Sequence, residues 1–140
     1  MKTIRNFRLI LPGEIDAEAL VSQKPLSFWG GVDMASGDIL DTHHDLFGKN
    51  LQEKILCIPY DRGSCSGSGV LIEMVRRGTA PAGILCIEAE PVLALGPLIA
   101  EKMYGKGMAL RTIAESDYAA LQDACRIRFT PDAVLVLERS

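Results

Sequence analysis

Residues Lys54 to Ile87 read KILCIPYDRGSCSGSGVLIEMVRRGTAPAGILCI. The run Lys54 to Pro59 is compact, apolar and bounded by polar residues, the pattern of a buried strand. From Ser66 to Arg77, the residues Val70, Leu71, Met74 and Val75 fall on one face of a helix. Glu73 lies on the other face, and Gly78 supplies a stop. Pro81 to Ile87 is a second buried strand. A helix over Pro91 to Met103 follows, with Val92, Leu95, Ile99 and Met103 at helical spacing, Pro91 in its first turn and Gly105 and Gly107 closing it. Strand, helix, strand and helix in succession predict an α/β domain with a right-handed crossover at its centre.

Outward from this centre the pattern turns to β. Thr3 to Leu11 reads as one strand ending at the Pro12-Gly13 turn, and Ala19 to Ser22 as a second, short strand. Lys24-Pro25 opens a loop that carries Phe28-Trp29-Gly30-Gly31, in which Trp29 is expected to plug the end of a sheet rather than touch a ligand. Met34 to Asp38 has turn chemistry, and Ile39-Leu40 begins an extended piece towards His43 and His44. Downstream come a short strand (Met108 to Arg111), a helix over Asp117 to Asp123 capped by Ser116 or a neighbour, and two extended pieces ending in Ala133 to Leu137. No repeat or linker interrupts residues 1–140, which are expected to form one domain.

The chain has 140 residues, 48% of them hydrophobic, and a formal charge of −3. A domain of that size can bury a complete core without metal or disulfide staples. The acidic balance and the lack of a basic face argue against nucleic acid. No apolar run approaches the ~20 residues of a membrane span, and Met1 to Asp16 lacks a signal peptide's apolar stretch, so a cytoplasmic location is expected. Cys57, Cys65, Cys86 and Cys125 form no C-x-x-C pair, which leaves out zinc-knuckle and thioredoxin spacings. Cys57 and Cys86 sit inside apolar runs and are expected in the core. His43 and His44 have no partner by spacing, and a surface position without a role is expected for each slightly ahead of a place at a subunit interface or pocket.

The chemistry lies between the first buried strand and the helix, in Asp61-Arg62-Gly63-Ser64-Cys65-Ser66-Gly67-Ser68-Gly69. Glycines permit a tight backbone, serines offer hydroxyls, and a helix start offers unpaired N–H groups. Such a loop binds anions, and Arg62 adds a planar two-pronged contact for a carboxylate or phosphate. It is neither a P-loop nor a dinucleotide fingerprint, because the Lys-Ser/Thr pair and the G-x-G-x-x-G spacing are both missing. Gly63, Cys65 and Gly67 match a nucleophile elbow, but both histidines precede it and the chain is too short for that hydrolase fold. The bland alternative is a strand-to-helix turn capped by Ser66 or Ser68. Three serines, a cysteine and an arginine exceed what a cap requires, so an anion site is expected.

The run from Asp61 to Leu71, followed by Gly78-Thr79-Ala80-Pro81-Ala82 and Glu90-Pro91-Val92-Leu93-Ala94-Leu95-Gly96, resembles the aconitase X swivel-domain family. Ser27-Phe28-Trp29-Gly30-Gly31-Val32-Asp33 and His44-Asp45-Leu46-Phe47-Gly48 resemble it too, with His44-Asp45 where that family usually has His-Pro. The resemblance covers about residues 5 to 105. It implies a single swivelling β/β/α barrel-like domain, acting as the small subunit of a dehydratase whose larger subunit carries an iron–sulfur or iron centre. No cofactor or metal ligand is implied in this chain.

By the same resemblance Ser64, the serine directly after a glycine, takes the place of the superfamily's catalytic base. Arg62, Gly63, Cys65, Ser66, Gly67 and Ser68 are the expected substrate-binding residues. The implied substrate is a small carboxylate, with cis-3-hydroxy-L-proline preferred and a phosphorylated mevalonate as the alternative. The stretch Gly96 to Gly105 looks more like bacterial members. Removing water from a β-hydroxy acid needs a base for the α-proton, an acid for the departing hydroxyl and a hold on the carboxylate. A serine alkoxide requires aligned N–H groups, a cation and a helix N-terminus to stabilise it. A reading from another class is a free-standing anion-binding regulatory module without turnover.

Overall fold

The computed structural model describes residues 1–60, 65–89 and 91–139, with backbone alone at 65–67 and 92. Eight strands form one sheet: β1 (Lys2–Ile4), β2 (Phe7–Leu11), β3 (Ile15–Val21), β4 (Ile55–Cys57), β5 (Gly83–Cys86), β6 (Ala109–Ile113), β7 (Ala124–Phe129) and β8 (Val134–Glu138). Their order across the sheet is β1-β8-β7-β3-β4-β5-β6-β2. β3 to β6 are mutually parallel, joined between β4 and β6 by helices α2 (Cys65–Arg77) and α3 (Pro91–Tyr104). The flanks are antiparallel, Lys2 facing Val136 on β8 and Phe7 facing Ile113 on β6.

Thr3 to Leu11 is therefore two strands rather than one, and the break closes the sheet. β1 and β2 occupy opposite edges yet are separated only by Arg5 and Asn6. Eight strands laid flat would put those edges about 34 Å apart. A two-residue connection reaches about 11 Å at most. The sheet must curl until its edges nearly meet, which gives the barrel-like form expected for the family.

Side chains alternate across the central strands. Ile55, Cys57, Leu85 and Ala109 point into the barrel, with Phe129, Val134 and Val136 from the antiparallel flank. Leu56, Ile58, Ile84, Cys86 and Leu110 point to the other side, where Val70, Leu71 and Met74 of α2 and Leu93 and Ala100 of α3 cover them. Both faces are buried, which is why these strands read as continuous apolar runs. Cys57 and Cys86 belong to these cores, as the sequence led us to expect.

Arg111 is the exception inside the barrel. It is 2% exposed, and its guanidinium lies over the rings of Phe7 (4.3 Å) and Phe129 (4.7 Å). One nitrogen, Nη1, donates to the Ala133 carbonyl oxygen at 3.0 Å, while Nε has no hydrogen-bond partner among the described residues. Burial pulls its pKa below the ordinary arginine value, and the charge of Glu14 partly opposes this.

Three local expectations change. Helix α4 spans Glu115–Ala119, not Asp117 to Asp123, and starts from Ala114 with no side-chain cap, so Ser116 lies inside it. The chain then breaks into turns, with Leu121 N–H donating to Tyr118 and Ala124 N–H to Leu121, because Leu121 and Ala124 are drawn into the barrel core. The piece from Ile39 towards His43 is a series of turns, with only the isolated bridges Val32 to Ile39 and Asp38 to Asn50. Asp33, Asp41 and Asn50 each accept a backbone N–H two residues on, which favours turns over extension.

Trp29 plugs nothing. In α1 (Phe28–Gly31), a kinked single turn, Phe28 fills the core at 2% exposure while Trp29 is 65% exposed. The backbone leaves the helix at Trp29 itself (ψ 116°), and Gly30 follows at φ +79°, a left-handed step that favours glycine.

Candidate functional site

Ligands of parallel sheets bind beyond the carboxyl ends of the strands. Here that edge runs from Ser22, just after β3, through Ile58 and Pro59 after β4, to Ile87 and Glu88 after β5. Ser22 N–H donates to the Cys57 carbonyl at 2.9 Å, and the Ile87 and Glu88 N–H groups both reach Pro59 O, at 2.9 and 3.3 Å. Pro59 and Tyr60 thus lead from this edge towards α2, a helix with no acidic residue in its first turn and Arg76 and Arg77 in its last. The N-terminal N–H groups face no carboxylate of their own turn, and the helix dipole favours an anion there.

Of the expected site residues, Arg62, Gly63 and Ser64 lie outside the described residues. Cys65, Ser66 and Gly67 form the first turn of α2 by their backbone. Ser68 follows them and is buried. Its backbone is in close contact with α3: a Cβ built on Gly96 would lie 2.7 Å from Ser68 O and 3.0 Å from Ser68 Cα. Only a glycine at 96 lets α3 approach the start of α2 this closely.

The same edge holds groups whose sequence context gave no reason to join them. His44 is 6% exposed, not a surface residue. Its Nδ1 lies 3.1 Å from the Leu46 N–H nitrogen and 3.2 Å from Asp45 Oδ1, and its Nε2 lies 3.4 Å from Ser22 Oγ. Ser22 Oγ donates to Asp45 Oδ1 at 2.6 Å and accepts the Lys24 N–H at 2.9 Å, while Tyr118 Oη donates to Ser22 O at 2.5 Å. Asp45 is thereby one of the ties that hold the 41–48 turns to the end of β3. Towards the other side, Arg8, Glu88 and Thr112 line a cleft of about 260 Å³ with Ile10, Ile87 and Ala89. In sequence Arg8 is one polar residue of an alternating strand, so nothing there pointed to it. A cleft of about 480 Å³ runs along β3 and the 46–54 turns, and no described residue of α2 lines it.

A metal site does not assemble from these parts. Among the described residues no group of three or more His, Cys, Asp or Glu side chains converges. Cys57 is packed on the barrel side and Cys86 on the helix side, and burial pushes the Cys57 thiol pKa far up, against the thiolate a metal needs. No helix among the described residues is long and apolar enough to cross a membrane.

The family model described as the aconitase X swivel domain matches residues 4–137. The chain belongs to the aconitase X swivel-domain family. The match extends the resemblance read from residues 5 to 105 almost to the end of the chain. As an aconitase X swivel domain it superposes on a crystal structure of Thermococcus kodakaraensis aconitase X (holo-form) with a TM-score of 0.83 and 29% identity, over 99% of this chain and 100% of that one. A cis-3-hydroxy-L-proline dehydratase of Pseudomonas aeruginosa is 43% identical over 108 residues, 77% of this chain but 19% of that protein. A phosphomevalonate dehydratase small subunit of Thermococcus onnurineus is 36% identical over 129 residues, 92% of this chain and 93% of that one. One from Methanopyrus kandleri is 49% identical over 87 residues, 62% of this chain and 64% of that one. This swivel domain thus spans about a fifth of the hydroxyproline dehydratase and most of the Thermococcus small subunit.

Proposed function

We propose that this chain is the small subunit of a two-chain hydro-lyase of the aconitase X type. The observation that carries the proposal is the swivel-domain match over 4–137 to a family whose relatives here are named dehydratases. Its substrate is a small β-hydroxy carboxylate, held by the turn that enters α2. Ser64 removes the α-proton, and Arg62 with the first N–H groups of the helix stabilises the serine oxygen and the carboxylate. Gly63, Cys65, Ser66, Gly67 and Ser68 shape the remaining wall. The larger subunit contributes the iron–sulfur or iron centre, which as a Lewis acid assists departure of the hydroxyl. The described residues of this chain supply no ligand set for it.

cis-3-Hydroxy-L-proline, which would give a pyrroline carboxylate, remains the preferred substrate. A phosphorylated mevalonate is the second reading, favoured by the relatives that are separate small subunits of similar length. The test is anaerobic purification of this chain with its larger partner, followed by assay of both substrates. Turnover of one of them is expected, with Ser64→Ala abolishing it while the complex and its iron content persist. Turnover retained by Ser64→Ala would remove Ser64 from the base role. A chain that binds carboxylates but forms no complex and supports no turnover would favour the regulatory module.

A further inference from the structure

Between Lys24 and Lys49 the sequence contains four aspartates, Asp33, Asp38, Asp41 and Asp45, both histidines, and no lysine or arginine. Those four negative charges exceed the net charge of the whole chain, −3, so the remaining residues are close to neutral or slightly basic. The same segment exposes three large apolar side chains: Trp29 at 65%, Leu40 at 50% and Phe47 at 53%. Backbone hydrogen bonds hold them on one turn system. The Leu40 N–H donates to Gly31 O at 2.8 Å, and the Gly48 N–H donates to Ile39 O at 3.1 Å.

The underside of this segment is firmly fixed. Leu26, Phe28, Val32, Ile39, Leu46 and Leu51 are buried in the helix-side core. Thr79 Oγ1 donates to Met34 O at 2.7 Å, pinning the segment to the end of α2, and Ser22 and His44 tie its far end to β3. The aromatics are presented on a preformed surface, so little ordering entropy would oppose a partner. Aromatic anchors within a polar rim are the usual make-up of an interface centre. A surface tryptophan and phenylalanine that folding leaves uncovered are otherwise unexplained.

We propose that Trp29, Leu40 and Phe47, ringed by Asp33, Asp41 and Asp45, form the seat of the larger chain, which meets them with an apolar pocket rimmed by basic residues. The inference rests on the small-subunit reading above. Two features favour that occupant. The surface is continuous with the candidate site, because the His44-Asp45 pair that ends it contacts Ser22 at the strand edge leading to α2. Four carboxylates outweigh the one cation that, among the described residues, reaches the segment, Lys24, whose Nζ donates to His43 O at 3.1 Å, and this acidic excess suits a basic partner and disfavours a second copy with the same excess.

Trp29 is the chain's single tryptophan. Labelling this chain alone with 5-fluorotryptophan gives one ¹⁹F resonance, expected to shift on addition of the unlabelled larger chain. Titration calorimetry should show Trp29→Ser and Phe47→Ser each weakening that complex at least tenfold, with unchanged thermal melting. Leu95→Ser and Leu98→Ser, on the exposed side of α3, should change it less than twofold. Affinity should fall severalfold between 50 and 300 mM salt, as the aspartate rim requires. A complex that forms with wild-type affinity in the Trp29 and Phe47 variants would overturn the surface and leave the subunit reading intact. Absence of any complex with the wild-type chain would overturn both. A homodimer lost on Trp29→Ser would replace the larger chain by a second copy.

Discussion

Gly96 faces the backbone of Ser68 so closely that a methyl group on its Cα would sit 2.7 Å from the Ser68 carbonyl oxygen. The contact joins α3 to the second residue beyond Ser66, in the turn that is expected to hold the substrate. Gly96 and Pro97 are the two poorest helix formers placed side by side within one helix. Their presence has a packing reason at Gly96, where any side chain would push against backbone that cannot rotate away.

Gly96→Ala should therefore destabilise the protein, although alanine favours a helix interior by about 1 kcal/mol over glycine. Overpacking of this kind costs about 1 to 3 kcal/mol, and the displaced first turn of α2 should lower turnover of the two-chain complex as well. Thermal melting and activity measured on the same variant check both effects. A more stable, fully active Gly96→Ala would mean that the helices are not in this contact.

Arg111 carries a buried charge with, among the described residues, a single carbonyl partner and two aromatic rings. Methionine keeps much of its volume without the desolvation cost, so Arg111→Met should lie within about 1 kcal/mol of wild type or be more stable. Arg111→Ala leaves a cavity between Phe7 and Phe129 and should lose about 2 to 4 kcal/mol. Urea unfolding of the two variants compares these terms, and equal losses for both would show that the ring contacts of the guanidinium dominate.

Alkaline pH should weaken the fold in a defined window. Burial is the leading cause that raises the pKa of the Cys57 thiol and of the Tyr118 hydroxyl well above the ordinary 9.0 and 10.0. Both groups keep their proton when folded and lose it when unfolded, so the unfolded state binds fewer protons. Stability is fully present below pH 9 and falls above it, by about 1.4 kcal/mol per pH unit for each group that has passed its unfolded pKa. Urea midpoints between pH 8 and 10.5 measure the slope. Tyr118→Phe should be weaker at pH 8, having lost the bond to Ser22 O, but should show a shallower decline above pH 10.

His44 should be needed for order at the end of β3. Its ring is buried, and its removal frees the Leu46 N–H and opens space beside Ser22. His44→Ala is expected to cost about 1 to 3 kcal/mol. His43→Ala, at an exposed position, should change stability by less than about 0.5 kcal/mol. Paired thermal melts distinguish the neighbours, and equal effects would contradict the buried network.

The central α/β unit was legible because its signals are local. Apolar runs bounded by polar residues mark β4 and β5, and helical spacing with glycines beyond the ends marks α2 and α3. The boundaries moved by one or two residues, as with α2 starting at Cys65 rather than Ser66 and β5 at Gly83 rather than Pro81. What escaped the sequence depends on partners far along the chain. Nothing in Thr3 to Leu11 says that Arg5 and Asn6 carry the strand from one sheet edge to the other. Nothing around Phe28 and Trp29 says which ring the core will take, since Phe28 is buried among residues such as Ile39 and Leu46 further along the chain. His44 looked unpartnered because Ser22 is distant in sequence and meets it only when the 41–48 turns fold back onto β3. For the site, the glycine and serine pattern is local and readable before any fold, whereas the cleft at Arg8 and the contact at Gly96 exist only in the tertiary structure.

The pairing of Lys2 with Val136 brings the two ends of the chain side by side on neighbouring antiparallel strands. A polypeptide attached before residue 2 or after residue 138 would leave from the same region of the surface. Fusion and separation are thus interchangeable arrangements for such a fold: a tether at either end anchors the domain at one point, about which it can turn as a body. A short linker between Glu138 and Lys2, with new ends opened at an exposed turn, should give a circular permutant that keeps the same barrel.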